Sequence, residues 1–203
     1  ICQGVGKLHQ ALGNDEQSGH DAAEAILTTD THAKEIAVSF ELNGTPVKMA
    51  GMCKGSGMIH PNMCTMLGFV TTDVCISKEM LQKAVSADVV DSFNMISVDG
   101  DTSTNDTLLV LANGLAENEE ITGEGAEYDA FCEALHFITT YLAKKMAGDG
   151  EGATCLFETR VIGAATKQDA RTLAKSVICS SLTKAAVFGH DANWGRILCA
   201  LGY

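Results

Sequence analysis

The sequence predicts an α/β fold, and three features carry that prediction. Residues 36–49 read as a two-stranded hairpin, because apolar and polar residues alternate on either side of Asn43-Gly44. Between Glu124 and Ala147, Phe131, Leu135, Ile138, Leu142 and Met146 form one apolar stripe at helical spacing. From Cys155 onward the pattern runs strand, helix, strand, which suggests a small separate α/β unit.

In chain order, Ile1, Val5, Leu8 and Leu12 share one helical face, and Gly13-Asn14 ends that helix. A short helix follows at Asp21 to Ile26. Ile36, Val38, Phe40 and Leu42 form the first hairpin strand and Val47 to Met49 belong to the second, while Gly51 to Asn62 reads as loop. Ser77 is placed to cap a helix burying Met80, Leu81, Ala84, Val85 and Val89. Phe93 to Val98 reads as a strand, and Leu108 to Ala112 suits either element. Gly148 stops the long helix, and residues 149–154 form a loop. A strand is expected at Cys155 to Ile162, a helix capped by Thr166 and Asp169, a strand at Lys184 to Phe188 and a loop at 189–195.

Composition narrows the function classes. A chain of 203 residues suits one domain, or one with a small appendage, and 46% hydrophobic with 20% charged residues is the balance of a globular protein. The formal charge of −12 disfavours non-specific contact with nucleic acid or an anionic membrane, so small molecules and proteins are the expected partners. No apolar run approaches the length of a membrane span. Ile1 opens the chain without Met or a cleavage-site pattern, so no signal peptide is expected. Eight cysteines are scattered singly, with no CxxC pair and no zinc-ligand spacing. Reduced thiols, a cytoplasmic location and no structural metal are expected.

Four polar, glycine-punctuated segments interrupt the elements: TTDT at 28–31, GMCKGSGMIHPNMCTML at 51–67, DGDTSTND at 99–106 and DGEGAT at 149–154. Each alone is ordinary turn chemistry, but together they mark a site, since loops supply most catalytic groups. Lys54 lies in a glycine-rich stretch, and Thr65 stands where loop gives way to the apolar run Met66 to Val70. A Thr hydroxyl needs a base, and no His here proclaims a triad. If the Cys64–Thr65 bond were cut, Thr65 would own an α-amine of pKa about 8, suited to that task near neutral pH. Spacing permits this without showing it.

The segments ILTTDTHAKE, GMCKGSGMIHPNMCTMLGFVTTD, VDGDTSTNDT, GDGEGAT and FGHDANWGRILCALGY, in this order, resemble the ornithine acetyltransferase family, the bifunctional glutamate N-acetyltransferases of arginine biosynthesis. The resemblance spans essentially the whole chain. It implies a layered α-β-β-α sandwich of the ornithine acetyltransferase and DmpA aminopeptidase type, unlike a doubly wound nucleotide-binding fold, followed by a small C-terminal α/β domain. The expected division is 1–153 and 154–203, the second domain being incomplete. It further implies a self-cleaving precursor cut between Cys64 and Thr65, where Cys64 replaces the family's more usual Ala.

The implied reaction is ping-pong acetyl transfer from N-acetylornithine to glutamate through an acetylated Thr65. Thr28, Lys54, Thr65 and Glu151 carry over as substrate-binding positions. Glu151 suits the side-chain ammonium of ornithine, and Lys54 a carboxylate or the acetyl oxygen. No cofactor is implied, although acetyl-CoA serves some members as a donor. The two chains are expected to stay together as an α2β2 heterotetramer. Asn105 and Asp106 read as loop braces, and Asn193, Trp194 and Arg196 as supports of the C-terminal unit. The family's Thr-Gly oxyanion hole precedes Ile1 and its substrate-contacting tail follows Tyr203, so the chain reads as the middle of a longer precursor. An N-terminal-nucleophile aminopeptidase or amidase, and an inactive fragment acting as a binding module, are the rival readings.

Overall fold

A computed structural model of the chain describes residues 2–60, 66–102 and 104–202. Two helices lead in, α1 (Cys2–Gln10) and α2 (Glu16–Ala25), the latter capped by the Asp15 carboxylate on the Ser18 amide at 2.7 Å. Strands β1 (Lys34–Leu42) and β2 (Thr45–Lys54) form the expected hairpin. Its turn places Asn43 and Gly44 at φ 48° and 80°, the left-handed pair that matches the twist of adjacent strands.

β2 then pairs antiparallel with β3 (Leu67–Thr72), and β3 pairs parallel with β4 (Thr107–Ala112), giving one sheet in the order β1-β2-β3-β4. The parallel step needs a crossover, and helix α3 (Lys78–Asp88) supplies it. Ser77 caps α3 through the Met80 amide at 3.3 Å, as its position predicted. Residues 51–54 are not loop. As part of the central strand β2 they bond to neighbours on both sides, Cys53 facing Lys34 of β1 and Gly68 of β3.

Helix α4 (Ala126–Gly148) lies across one face of the sheet. Its stripe Phe131, Leu135, Ile138, Leu142 and Met146 is buried against Val47, Met49, Val70 and Phe93. The approach is close at Gly51, where an added Cβ would stand 2.8 Å from Ile138 Cγ2. The opposite face is only partly covered, and it leaves Leu109 and Leu111 exposed. The apolar stripe of α1 is also open, with Val5, Leu8 and Leu12 exposed.

Three strand expectations fail, each for a local reason. Phe93–Met95 is a 3₁₀ turn closed by backbone bonds from the Met95 amide to the Ser92 carbonyl at 3.0 Å and from the Ile96 amide to the Phe93 carbonyl at 3.3 Å, which satisfy locally the groups a strand would offer a partner. Cys155–Ile162 keeps its alternating sequence, but no backbone amide there bonds to a described backbone group, and a strand exists only through its partner. Lys184–Phe188 lies within a helix, because Ser180 caps the Thr183 amide at 3.3 Å and starts a turn that the five apolar-rich residues continue.

The C-terminal part is therefore helical among the described residues and not α/β, with α5 (Lys167–Cys179), α6 (Ser181–Phe188) and α7 (Trp194–Leu201) packed on one another. Thr166 caps α5 through the Asp169 amide, as read from sequence. Arg171 grips Asp91 with two bonds, 2.6 and 2.9 Å, and ties α5 to the segment after α3. No described helix is long and apolar enough to cross a membrane.

Candidate active site

Three of the four polar segments meet at one end of the hairpin. The TTDT loop follows α2, Lys54 ends β2, and Glu151 follows the C-terminus of α4. Lys54 Nζ donates to Thr28 Oγ1 at 3.2 Å. The Glu151 amide donates to the Ser56 carbonyl at 2.8 Å, and its carboxylate lies against Gly57, 2.9 Å from where a Cβ would stand. Gly55 adopts φ 151° and is pressed between Ile59 and Met146, which is why this stretch needs glycine. Thus Thr28, Lys54 and Glu151, named from three distant motifs, line one locality.

A buried ion network that the sequence reading did not single out holds this locality together. Lys34 Nζ, with a side chain fully out of solvent, sits 2.6 Å from Asp30 Oδ1 and 2.5 Å from Asp149 Oδ2. Asp30 also accepts from the Gly55 amide at 2.6 Å and the Thr28 amide at 3.3 Å. Asp149 accepts from the Thr31 amide at 3.0 Å and from its hydroxyl. At both aspartates burial opposes ionisation, but the hydrogen bonds and the Lys34 charge outweigh it and hold the carboxyl below the usual aspartate range. A sequence signal existed: Lys34 shares strand parity with Ile36, Val38, Phe40 and Leu42, so its side chain is directed at the core and must be paired.

The fourth segment grips both flanks of residues 61–65. Asp99 accepts from the amides of Met58 and Ile59 at 2.6 and 3.1 Å, and Thr102 donates its hydroxyl to the His60 carbonyl at 3.1 Å. On the far side, Asp106 Oδ1 accepts from the Met66 amide. His60 is held at 3.0 Å from Ser97 Oγ and 3.7 Å from Cys179 Sγ. Burial first, then Lys175 and Lys184, push its pKa down. Cys64 and Thr65, the expected cleavage site and nucleophile, lie outside the described residues. Asp106 acts as the brace expected of it, as do Asn193, which caps α7 on the Arg196 amide at 3.1 Å, and Arg196, which bonds the Leu182 carbonyl. Trp194 is exposed.

Burial pushes the Asp106 carboxyl up to about 6 against the pull of the Met66 amide, and its Oδ2 is buried with no partner among the described residues. The unfolded carboxyl ionises near 3.8, so this group's contribution is complete below that value and is lost as pH rises through about 6. Asp106→Asn keeps an oxygen for Met66 but cannot ionise. Its melting temperature is expected to gain on the wild type between about pH 4.5 and about pH 7.5. An equal difference at both pH values contradicts this.

A cavity of about 570 Å³ lies beyond Glu151, between α4, α5 and residues 151–161. Of Thr28, Lys54 and Glu151 only Glu151 borders it, so the candidate site is defined by the bonded loops and not by this cavity. Among the described residues no three His, Cys, Asp or Glu side chains group to hold a metal ion. The Cys53 thiol, beneath β2, is pushed up to about 12 chiefly by burial and is no nucleophile.

Comparison with known proteins decides the family, because the ArgJ family model matches residues 1–203. The chain belongs to the ArgJ family. Relatives named arginine biosynthesis bifunctional protein ArgJ include one from Symbiobacterium thermophilum, 59% identical over 92% of this chain and 46% of its own length. One from Streptococcus mutans is 57% identical over 100% of this chain and 50% of its own length. A crystal structure of the Bacillus halodurans ArgJ protein aligns with TM-score 0.67 and 54% identity, covering 68% of this chain and 65% of that one. The chain spans about half the length of the curated relatives it matches.

Proposed function

We propose that this chain carries the nucleophile and substrate-contact loops of a self-processing glutamate N-acetyltransferase of arginine biosynthesis. The observation that carries the reading is the convergence of Thr28, Lys54 and Glu151, matched motif by motif, through the 3.2 Å Lys54–Thr28 bond and the 2.8 Å Glu151–Ser56 bond. The names of the relatives support the same pathway.

In the proposed processing step the Thr65 hydroxyl attacks the Cys64 carbonyl, the acyl group shifts from nitrogen to oxygen, and water hydrolyses the ester. That frees the Thr65 α-amine as base. The hydroxyl then takes acetyl from N-acetylornithine, ornithine leaves as an amine, and glutamate enters as an amine to receive the acetyl group. One site serves both half-reactions, because both partners of the acetyl group are amines. Glu151 faces the ornithine ammonium and Lys54 a carboxylate or the acetyl oxygen. The chemistry uses no cofactor, and acetyl-CoA is a second donor within the same scheme.

The proposed setting is a cytoplasmic α2β2 assembly of the two cleaved chains, with no nucleic-acid or membrane partner. Within it, a second sheet in the part of the family's length outside this chain covers the face bearing Leu109 and Leu111, completing the layered sandwich. The division into 1–153 and 154–203 belongs to the same reading, and so does an oxyanion hole outside these residues.

The test is incubation of the full-length protein with N-acetylornithine labelled in the acetyl group, with and without glutamate. Labelled N-acetylglutamate formed together with ornithine is expected. Ornithine released with free acetate, whether or not glutamate is present, identifies the amidase instead.

A further inference from the structure

We propose that Lys34 and Asp149, together with Asp30, are positioning residues that mount the substrate-contact loops on the sheet, an inference that rests on the acetyl-transfer reading for its kinetic arm. One ammonium is shared by two carboxylates, and all three side chains are withdrawn from solvent. A buried ion pair offsets its desolvation cost only when further hydrogen bonds satisfy its remaining lone pairs, so where those donors come from decides what the network holds together. Here the other hydrogen-bond donors to the two carboxylates come from the matched segments: the amides of Thr28, Gly55 and Thr31, and the Thr31 hydroxyl.

The bonds close a ring. Asp30 joins the Thr28 loop to the residue after Lys54, and Lys54 returns to Thr28 at 3.2 Å. Asp149 stands two residues before Glu151, whose amide returns to Ser56 at 2.8 Å. Lys34, at the first position of β1 and paired in register with Cys53, ties both halves of the ring to the sheet. Thr28, Lys54 and Glu151 each stand one or two residues from a group that Lys34 holds directly or through Asp30, although Lys34 is too deeply buried to meet a substrate. Its influence falls on binding geometry and not on the acyl-transfer step, so KM moves and kcat largely does not.

The experiment uses the full-length protein with Asp149→Asn, which keeps an acceptor for Thr31 but loses the charge, beside Lys34→Met. Hydrogen exchange is followed at the amides of Thr28, Thr31, Gly55 and Glu151, and KM and kcat are measured for N-acetylornithine and glutamate. Protection is expected to fall at all four amides together, with KM for both substrates rising about tenfold and kcat staying within about threefold in Asp149→Asn. Exchange altered only beside the substituted residue, or a lower melting temperature with KM unchanged, overturns the proposal. Should the wild type transfer no acetyl group, the functional reading fails while the exchange result still decides the coupling.

Discussion

Thr65→Ala in the full-length protein is expected to remain a single chain and to transfer no acetyl group. In the proposed mechanism the hydroxyl serves twice, first against the Cys64 carbonyl and then against the acetyl donor, and the amine it exposes is the base for the second task. Removing a nucleophile on which the chemistry depends costs on the order of 10⁴–10⁶ in rate. The melting temperature, measured beside activity, separates lost chemistry from lost fold. Thr65→Ser, which keeps a hydroxyl, is expected to process and turn over more slowly. A Thr65→Ala protein that is cut between residues 64 and 65, or that still acetylates glutamate, removes Thr65 from the mechanism.

Lys34→Met is expected to destabilise the fold by about 3–5 kcal/mol, the usual result of stripping one partner from a buried charge cluster. Methionine fills the volume but leaves Asp30 and Asp149 facing each other out of water. The pH dependence identifies the cause. In the wild type both carboxyls are held below their ordinary value of 3.8, so their contribution is complete above that pH and is lost as pH falls below it. In the variant the same carboxyls lose the one buried cation they share, keeping their amide and hydroxyl donors and, at Asp149, the half-exposed His32 ring 3.5 Å away, so protonation is favoured and acid relieves them. The stability gap between the two proteins, read from urea unfolding, should narrow from about pH 7.5 to about pH 4.5. A gap independent of pH, or smaller than about 1 kcal/mol, contradicts the ion network.

The parts of the fold legible in the sequence are those governed by local rules. The Asn43-Gly44 hairpin, the stripe of α4 and the caps at Ser77 and Thr166 each depend on residues within a few positions of one another. Phe93–Val98, Cys155–Ile162 and Lys184–Phe188 were misread because short apolar runs are ambiguous until their partners are known. In the first the backbone closed a 3₁₀ turn on itself, in the second no described backbone partner was present, and in the third a serine cap tipped the run into a helix.

The site shows the same division. Thr28, Lys54 and Glu151 were found through motif resemblance, and the structure brings their segments together. Of the residues that do the assembling, Lys34 and Asp149 meet across more than a hundred positions, and Asp30 takes its meaning from Gly55 just past the end of β2, so neither contact could be read from neighbouring sequence. Parity alone marked Lys34, as a lysine on the inward face of β1. Asp99 and Asp106 carried no such mark, since an aspartate in a polar loop looks the same whether it braces a turn or holds a flank of residues 61–65.

The central claim, that Thr65 becomes the N-terminal residue of a second chain and carries the acetyl group, is tested most directly by intact mass spectrometry of the full-length protein before and after exposure to N-acetylornithine. Two chains are predicted, the second beginning at Thr65 and gaining one acetyl group only after exposure. A single uncut chain whose mass does not change with the donor would contradict the account.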